Sequence, residues 1–366
     1  MRLFLCGDVM TGRGIDQALP HSVDPVLHEP FVCDAREYVD LAEKANGPIL
    51  RPLSFDYIWG DALPELERFG TDLRIINLET PMTSTETHWP DKEIHYRMHP
   101  LNIGCLSTAG INACALANNH VLDWGYEGLS ETLRTLDAAH ICRAGAGQDA
   151  KEAAAPAVID VPDKGRALLF SFGSTASGIP PGWRATSVSP GVSLLDDLSE
   201  ATASRTANQM RQFQHSGEVL IASIHWGGNW GYEIRREQIA FAHRLIREGV
   251  AVVHGHSSHH VKAIEVFDGR LILYGCGDFL TDYEGISGYE IMRGDLALMF
   301  LVELDSQSSG VVSAQLVPMQ MRRFRLEHVS AADANWLCEL LNRLSAPFKT
   351  QVQLNQGNRM TLKWEQ

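Results

Sequence analysis

A chain of 366 residues with 45% hydrophobic composition can bury a sizeable core, which excludes a disordered or fibrous protein. Its formal net charge of -14, from 45 acidic against 31 basic residues, repels polyanions; no Lys/Arg run offsets it, so nucleic acid is excluded as a partner. The same repulsion weighs more weakly against a long polyglutamate chain, because a local basic pocket overrides a global sign. No apolar window is long enough to span a bilayer. The seven cysteines form no CxxC pair, and Gly7-Asp8 leaves no room for a signal peptide, so a reduced, cytoplasmic protein is expected.

Short apolar runs recur along the chain, with helix-like segments between them and polar clusters at their ends. Leu3 to Cys6 reads as a first interior strand and is followed by Gly7-Asp8-Val9-Met10. Leu73 to Ile76 runs into Asn77-Leu78-Glu79, and Ala113 to Leu116 into Asn118-Asn119-His120. Leu129 to Ala139 is predicted as a helix. Leu168 to Phe172 and Val219 to Ile224 read as strands separated by a loop at Gly173 to Gly191, and the second of them ends on His225-Trp226-Gly227. The helix predicted over Arg235 to Glu248 carries Ile239, Ala242, Leu245 and Ile246 on one face. Val250 to Val253 then leads into His254-Gly255-His256, with His259 and His260 just beyond. Leu271 to Tyr274 is a further strand, and Leu296 to Leu304 with Gly310 to Met319 reads as a late hairpin. Ala331 to Leu344 is an amphipathic helix capped by Ser330. The alternation predicts a layered α/β fold with a mixed sheet or two packed sheets. Residues 1–325 are read as one catalytic domain, and 326–366 as a C-terminal helix and polar tail packed on it.

Asp8 alone is ordinary turn chemistry, since Gly-Asp is common in turns. Polar groups repeated after successive strands are different, because open α/β sheets place ligand-binding groups at strand carboxyl ends. Four imidazoles lie between His254 and His260, and the His-Gly-His spacing sends two of them to one side while the glycine permits a close backbone approach. Imidazoles with carboxylates and an amide oxygen suit a borderline or hard divalent cation, with Ca, Mn, Zn and Mg left open. The remaining histidines are read as structural. Trp226, Trp230 and Tyr232 beside His225 are candidates for an aromatic wall against a substrate, although each taken singly is somewhat better explained by core packing of a loop.

Five ordered clusters carry a resemblance: Gly7-Asp8-Val9-Met10-Thr11-Gly12-Arg13, Asn77-Leu78-Glu79-Thr80-Pro81, Ala117 to Gly125, His225-Trp226-Gly227 and His254-Gly255-His256. Over about residues 2 to 285 the chain resembles the bacterial capsule-synthesis CapA, or poly-γ-glutamate synthesis, family of the calcineurin-like metallophosphatase superfamily. The resemblance implies a four-layer α/β/β/α sandwich. It also implies that Asp8, Glu79, Asn119, His225, His254 and His256 hold a metal, that His120 is the acid or base beside it, and that Arg13 faces substrate. Three departures stand out. Met10 replaces the histidine of the superfamily's Asp-x-His, Asn77 and Glu79 replace its bridging aspartate, and Asp278 stands where an asparagine is common. A thioether is a poor ligand for a hard or borderline cation, so one divalent metal ion is expected rather than two.

Soluble members of the family that accompany ribosomal-peptide pathways, including lasso peptides, are implicated in peptide epimerisation. The leading expectation is accordingly a peptide substrate and Cα-epimerisation through His120, His225, Asp8 and Asp278 as acid–base groups. Metal-dependent hydrolysis of a phosphoester ranks second, and a polyglutamate-synthesis accessory protein third. His259 and His260 are expected behind the ligands or on the surface.

Overall fold

Both faces of the interior strands are buried, which is why they read as unbroken apolar runs rather than as alternating ones. The chain is described by a computed structural model covering residues 1–286, 288 and 290–365. A ten-stranded sheet is built outward from Arg2–Val9. On one side Leu73–Leu78, Ala113–Ala115 and Cys142–Ala144 follow in parallel. On the other, Leu296–Leu304, Val311–Arg322, Met360–Trp364 and Thr350–Leu354 run antiparallel in succession. Asp278–Leu280 lies parallel to the end of the first strand, with Asp278 opposite Asp8.

A six-stranded sheet runs Ile264–Phe267, Arg270–Leu273, Val252–His256, Val219–His225, Gly165–Gly173, Ala157–Val161, and its inner four strands are parallel. Successive side chains point to opposite faces. Leu3 and Leu5 therefore pack between the sheets with Leu169, Ile221, Val252 and Phe300. Phe4 and Cys6 point the other way, onto Trp59, Leu66, Leu129 and Leu133 beneath the first helical layer. Leu168, Phe170, Leu220 and Ala222 meet helices Glu200–Phe213 and Arg236–Arg247 through Ala203, Ala207, Phe241 and Leu245. The order is helix, sheet, sheet, helix, the α/β/β/α sandwich of the calcineurin-like metallophosphatases.

The helix Arg236–Arg247 buries Phe241, Ala242, Leu245 and Ile246, while Ile239 is only half-buried at its margin. The Ser330 hydroxyl accepts from the Asp333 amide at 3.1 Å and starts the helix Ala331–Ser345. Beyond it the tail is more ordered than its polar composition announces. Val352, Met360 and Leu362 alternate with polar residues and join the inter-sheet core, and Met360–Trp364 pairs with Val311–Arg322.

Two glycines permit close backbone approaches beside the strand ends. A Cβ on Gly7 would fall 1.6 Å from the Gly277 carbonyl oxygen, and one on Gly255 would lie 2.5 Å from that of Leu273.

Candidate metal centre

Every polar cluster found at a strand end lies at the carboxyl ends of the parallel strands, where the two sheets converge. In the second sheet His254 stands opposite Ser223 and His256 opposite His225. The strand period of two therefore puts Ser223, His225, His254 and His256 on one face.

His225 and His256 meet Nδ1 to Nδ1 at 2.8 Å. The Asp8 carboxylate, fully buried, lies 3.8 Å from His256 Nδ1. Asp8, His225 and His256 each bring one ligand atom within 4.8 Å of the others, and among the described residues no other group of three His, Cys, Asp or Glu does so. Glu79 stands at the edge of the trio, 3.8 Å from His225 Nδ1. The Asn77 amide donates to Asp8 Oδ1 at 2.8 Å and to Glu79 Oε2 at 2.9 Å, and the two carboxyl groups also hydrogen-bond to each other. Asn77 in turn accepts from Asn118, whose side-chain oxygen takes the backbone amides of His120 and Val121.

The donor set fits a divalent cation. His225 Nε2 faces the Asn119 amide oxygen at 2.9 Å and carries its proton there, which leaves the Nδ1 lone pair turned toward His256. Burial and then the nearby Asp278 push Asp8 up to about 7, and burial with Asp8 pushes Glu79 well above the usual carboxylate range. Burial holds His225 and His256 well below the ordinary imidazole value. Crowded carboxylates and neutral imidazoles are the state that a bound cation relieves.

His120 lies beside this centre. Its Nδ1 is 2.7 Å from Asp123 Oδ2, and its Nε2 is 3.8 Å from Glu79 Oε1. Lys92 Nζ closes the group, 2.5 Å from Asp123 Oδ1 and 2.9 Å from His120 Nδ1. Burial lowers His120 to about 4, so the ring is neutral near pH 7. A second pair faces the same space: His259 Nδ1 is 2.9 Å from Asp278 Oδ1. Burial alone would lower His259, but the Asp278 charge outweighs it and raises the imidazole above its usual value. His120, His259, Lys92, Glu79, Asn119 and Tyr283 are among the walls of a cavity of about 200 Å³. A larger cavity of about 590 Å³ shares His259 and Tyr283 with it and includes Trp230.

Several expected assignments are corrected. His254 does not join the trio, because Nε2 is bonded to the Cys6 carbonyl at 2.6 Å and Nδ1 to Ser223 at 3.0 Å. Trp226 is core rather than substrate wall: it is 2% exposed, packs on Phe241 and Tyr274, and donates to the Tyr274 carbonyl. Arg13 is buried in ion pairs with Asp282 and Glu29 and lies over the Tyr38 ring, so no guanidinium is left for a substrate. Tyr232 packs against the inter-sheet core and the His260 ring instead of lining the cavity, whereas Trp230 lies 5.2 Å from His259. His260 is buried with Nδ1 against the Val261 carbonyl, and His259 is a cavity wall rather than a surface residue. Met10 is buried and accepts from the Tyr283 hydroxyl through sulfur at 3.6 Å.

Asp123, Lys92 and Ser223 also belong to the site, and the sequence pattern alone assigns them no role. The His-x-x-Asp spacing in the turn after the third strand was a readable signal for Asp123, and the two-residue step back from His225 was one for Ser223. Lys92 comes from a distant loop and left no such signal.

The profile of the family described as bacterial capsule synthesis protein PGA_cap matches residues 2–283. A "probable polyglutamine synthesis accessory protein" of Mycobacterium tuberculosis is 43% identical over 351 residues, covering 96% of this chain and 92% of its own. The capsule biosynthesis protein CapA of Bacillus anthracis is 24% identical over 76% of this chain and 64% of its own. The PGA biosynthesis protein CapA of Bacillus subtilis is 26% identical over 75% and 62%. No helix among the described residues is long and apolar enough to cross a membrane.

Proposed function

The chain belongs to the PGA_cap family of bacterial capsule synthesis proteins, and on that premise we propose that it is a metal-dependent hydrolase of phosphoester type, acting as an accessory to the synthesis of a glutamate or glutamine polymer. The observation that carries this reading is the convergence of Asp8, His225 and His256, with the His120–Asp123 pair directly beside it. A relative named as an accessory protein supports a protein partner in place of the free peptide expected from the sequence. All seven cysteines are free thiols, which supports a reducing, cytoplasmic setting.

Asp8, His225 and His256 would hold one divalent cation, with Glu79 at its margin; Asn119, expected as a ligand, instead stands behind His225 on its Nε2. When bound, the cation supplies Lewis acidity and a water of lowered pKa. His120 takes the proton of the attacking water at Nε2, because Asp123 keeps the other ring nitrogen occupied. His259, held by Asp278, returns a proton to the leaving oxygen. Lys92 and His259 put positive charge in the cavity, which suits an anionic group.

A second reading, Cα-epimerisation, is favoured by one observation: two histidine–carboxylate pairs, His120–Asp123 and His259–Asp278, open on the same cavity. One experiment separates the readings. Metal-loaded protein is incubated with 4-nitrophenyl phosphate and, in deuterated water, with glutamate-containing peptides. Phosphate release that falls by about 10²–10⁴-fold in His120→Ala supports the hydrolase. Deuterium at a Cα position without cleavage supports epimerisation, and neither activity leaves a binding role in polymer synthesis.

A further inference from the structure

Behind the His225–His256 pair runs a chain of hydrogen bonds whose direction can be read from one fixed end. The Cys6 backbone carbonyl only accepts, so His254 Nε2, 2.6 Å away, carries a proton and donates it. Among the described residues no carboxylate is a hydrogen-bond partner of His254, and an unpaired imidazolium is costly in a fully buried position, so the ring is neutral and Nδ1 is a lone pair. Ser223 Oγ, 3.0 Å from that nitrogen, must therefore donate to it. The hydroxyl has then spent its one proton and offers only lone pairs to His256 Nε2 at 2.8 Å. His256 must donate from Nε2, and its Nδ1 is left bare, facing His225 Nδ1 and the Asp8 carboxylate.

We infer that Ser223 and His254 are positioning residues which fix His256 in the Nε2–H tautomer, so that its Nδ1 lone pair points into the centre, and that His254 is not itself a ligand. The inference rests on the metal-centre reading above. It reassigns His254, a ligand by sequence resemblance, to the far end of a relay that begins at the Cys6 backbone. It also explains why a small hydroxyl stands at position 223, since only a group with one proton and spare lone pairs connects two imidazoles in this order.

Two readouts independent of catalysis test it. In zinc-loaded wild-type protein, ¹⁵N spectra of the histidine rings are expected to show His256 protonated at Nε2. In a titration with cobalt(II), Ser223→Ala and His254→Ala are each expected to weaken binding by about 10–100-fold, which is the range for groups that orient a ligand. The double variant should bind no more weakly than the weaker single one, and Ser223→Thr, which keeps the hydroxyl, should bind like wild type. An Nδ1–H tautomer in cobalt-binding wild-type protein overturns the relay alone, and needs no variant to fold. Loss of binding in His254→Ala with Ser223→Ala unchanged makes His254 a ligand and also overturns it. A wild-type protein that binds no cobalt overturns the metal-centre reading, and with it the purpose assigned to the relay.

Discussion

His225 and His256 face each other Nδ1 to Nδ1 at 2.8 Å, from the carboxyl ends of two adjacent parallel strands that are in register at those residues. Two ring nitrogens held this close beside the Asp8 carboxylate would share a cation, and binding to the folded state alone must raise stability. At a free concentration near 100 times Kd the gain is about 2.7 kcal/mol. Denaturant unfolding with and without manganese or zinc is expected to show this gain in wild-type protein and none in the double variant His225→Ala/His256→Ala. Chelator treatment should leave the protein folded, because the three hydrophobic layers do not include the site.

The His120–Asp123 pair is expected to act on the chemical step. Asp123→Asn keeps the shape of the side chain but no longer enforces a proton on His120 Nδ1. The kcat for aryl phosphate hydrolysis should fall by about 10²–10⁴-fold with KM changed little. A fall in kcat/KM that comes from KM alone would assign the pair to binding.

Trp226 and Trp230 are four residues apart and should behave oppositely. Trp226→Ala empties a fully packed site between Phe241 and Tyr274 and removes a hydrogen bond to the Tyr274 carbonyl. The expected cost is about 3–5 kcal/mol in urea unfolding. Trp230→Ala, at the wall of the larger cavity, should cost less than about 1 kcal/mol and change KM instead.

Why these two tryptophans are indistinguishable in sequence shows what local pattern carries and what it does not. Strand ends were legible because a buried strand must finish on a polar group, and Asp8, Glu79, His120, His225 and His256 all sit at such ends. His-Gly-His was legible because only glycine fits against the Leu273 carbonyl. The direction of Trp226, into the Phe241 layer, depends on a helix that follows it in the chain. The burial of Arg13 is illegible for a similar reason, since its partner Asp282 lies 269 residues away. The tail pairs with a strand some forty residues earlier, and five-residue alternations such as Met360–Trp364 are too short to announce that pairing on their own.

Glu65 ties the first helical layer to the C-terminal strands. Burial would raise its carboxyl, but hydrogen bonds from Arg359 and Arg68 outweigh burial and hold it below the usual value of 4.5. The folded state thus favours the carboxylate, so the stabilisation is present above the unfolded pKa and lost as pH falls through the lowered folded one. Glu65→Gln should cost about 1 kcal/mol at pH 7, given that both arginines are partly exposed. The difference from wild type, followed by urea unfolding, should shrink below about pH 4. A difference that grows on acidification would contradict the assignment.

Elemental analysis of the purified protein beside His256→Ala reads the metal centre itself. About one divalent cation per wild-type chain is expected, and essentially none in a folded His256→Ala protein. Wild-type protein that takes up no cation when it is supplied in excess, or a variant that holds as much as wild type, would contradict a centre built on Asp8, His225 and His256.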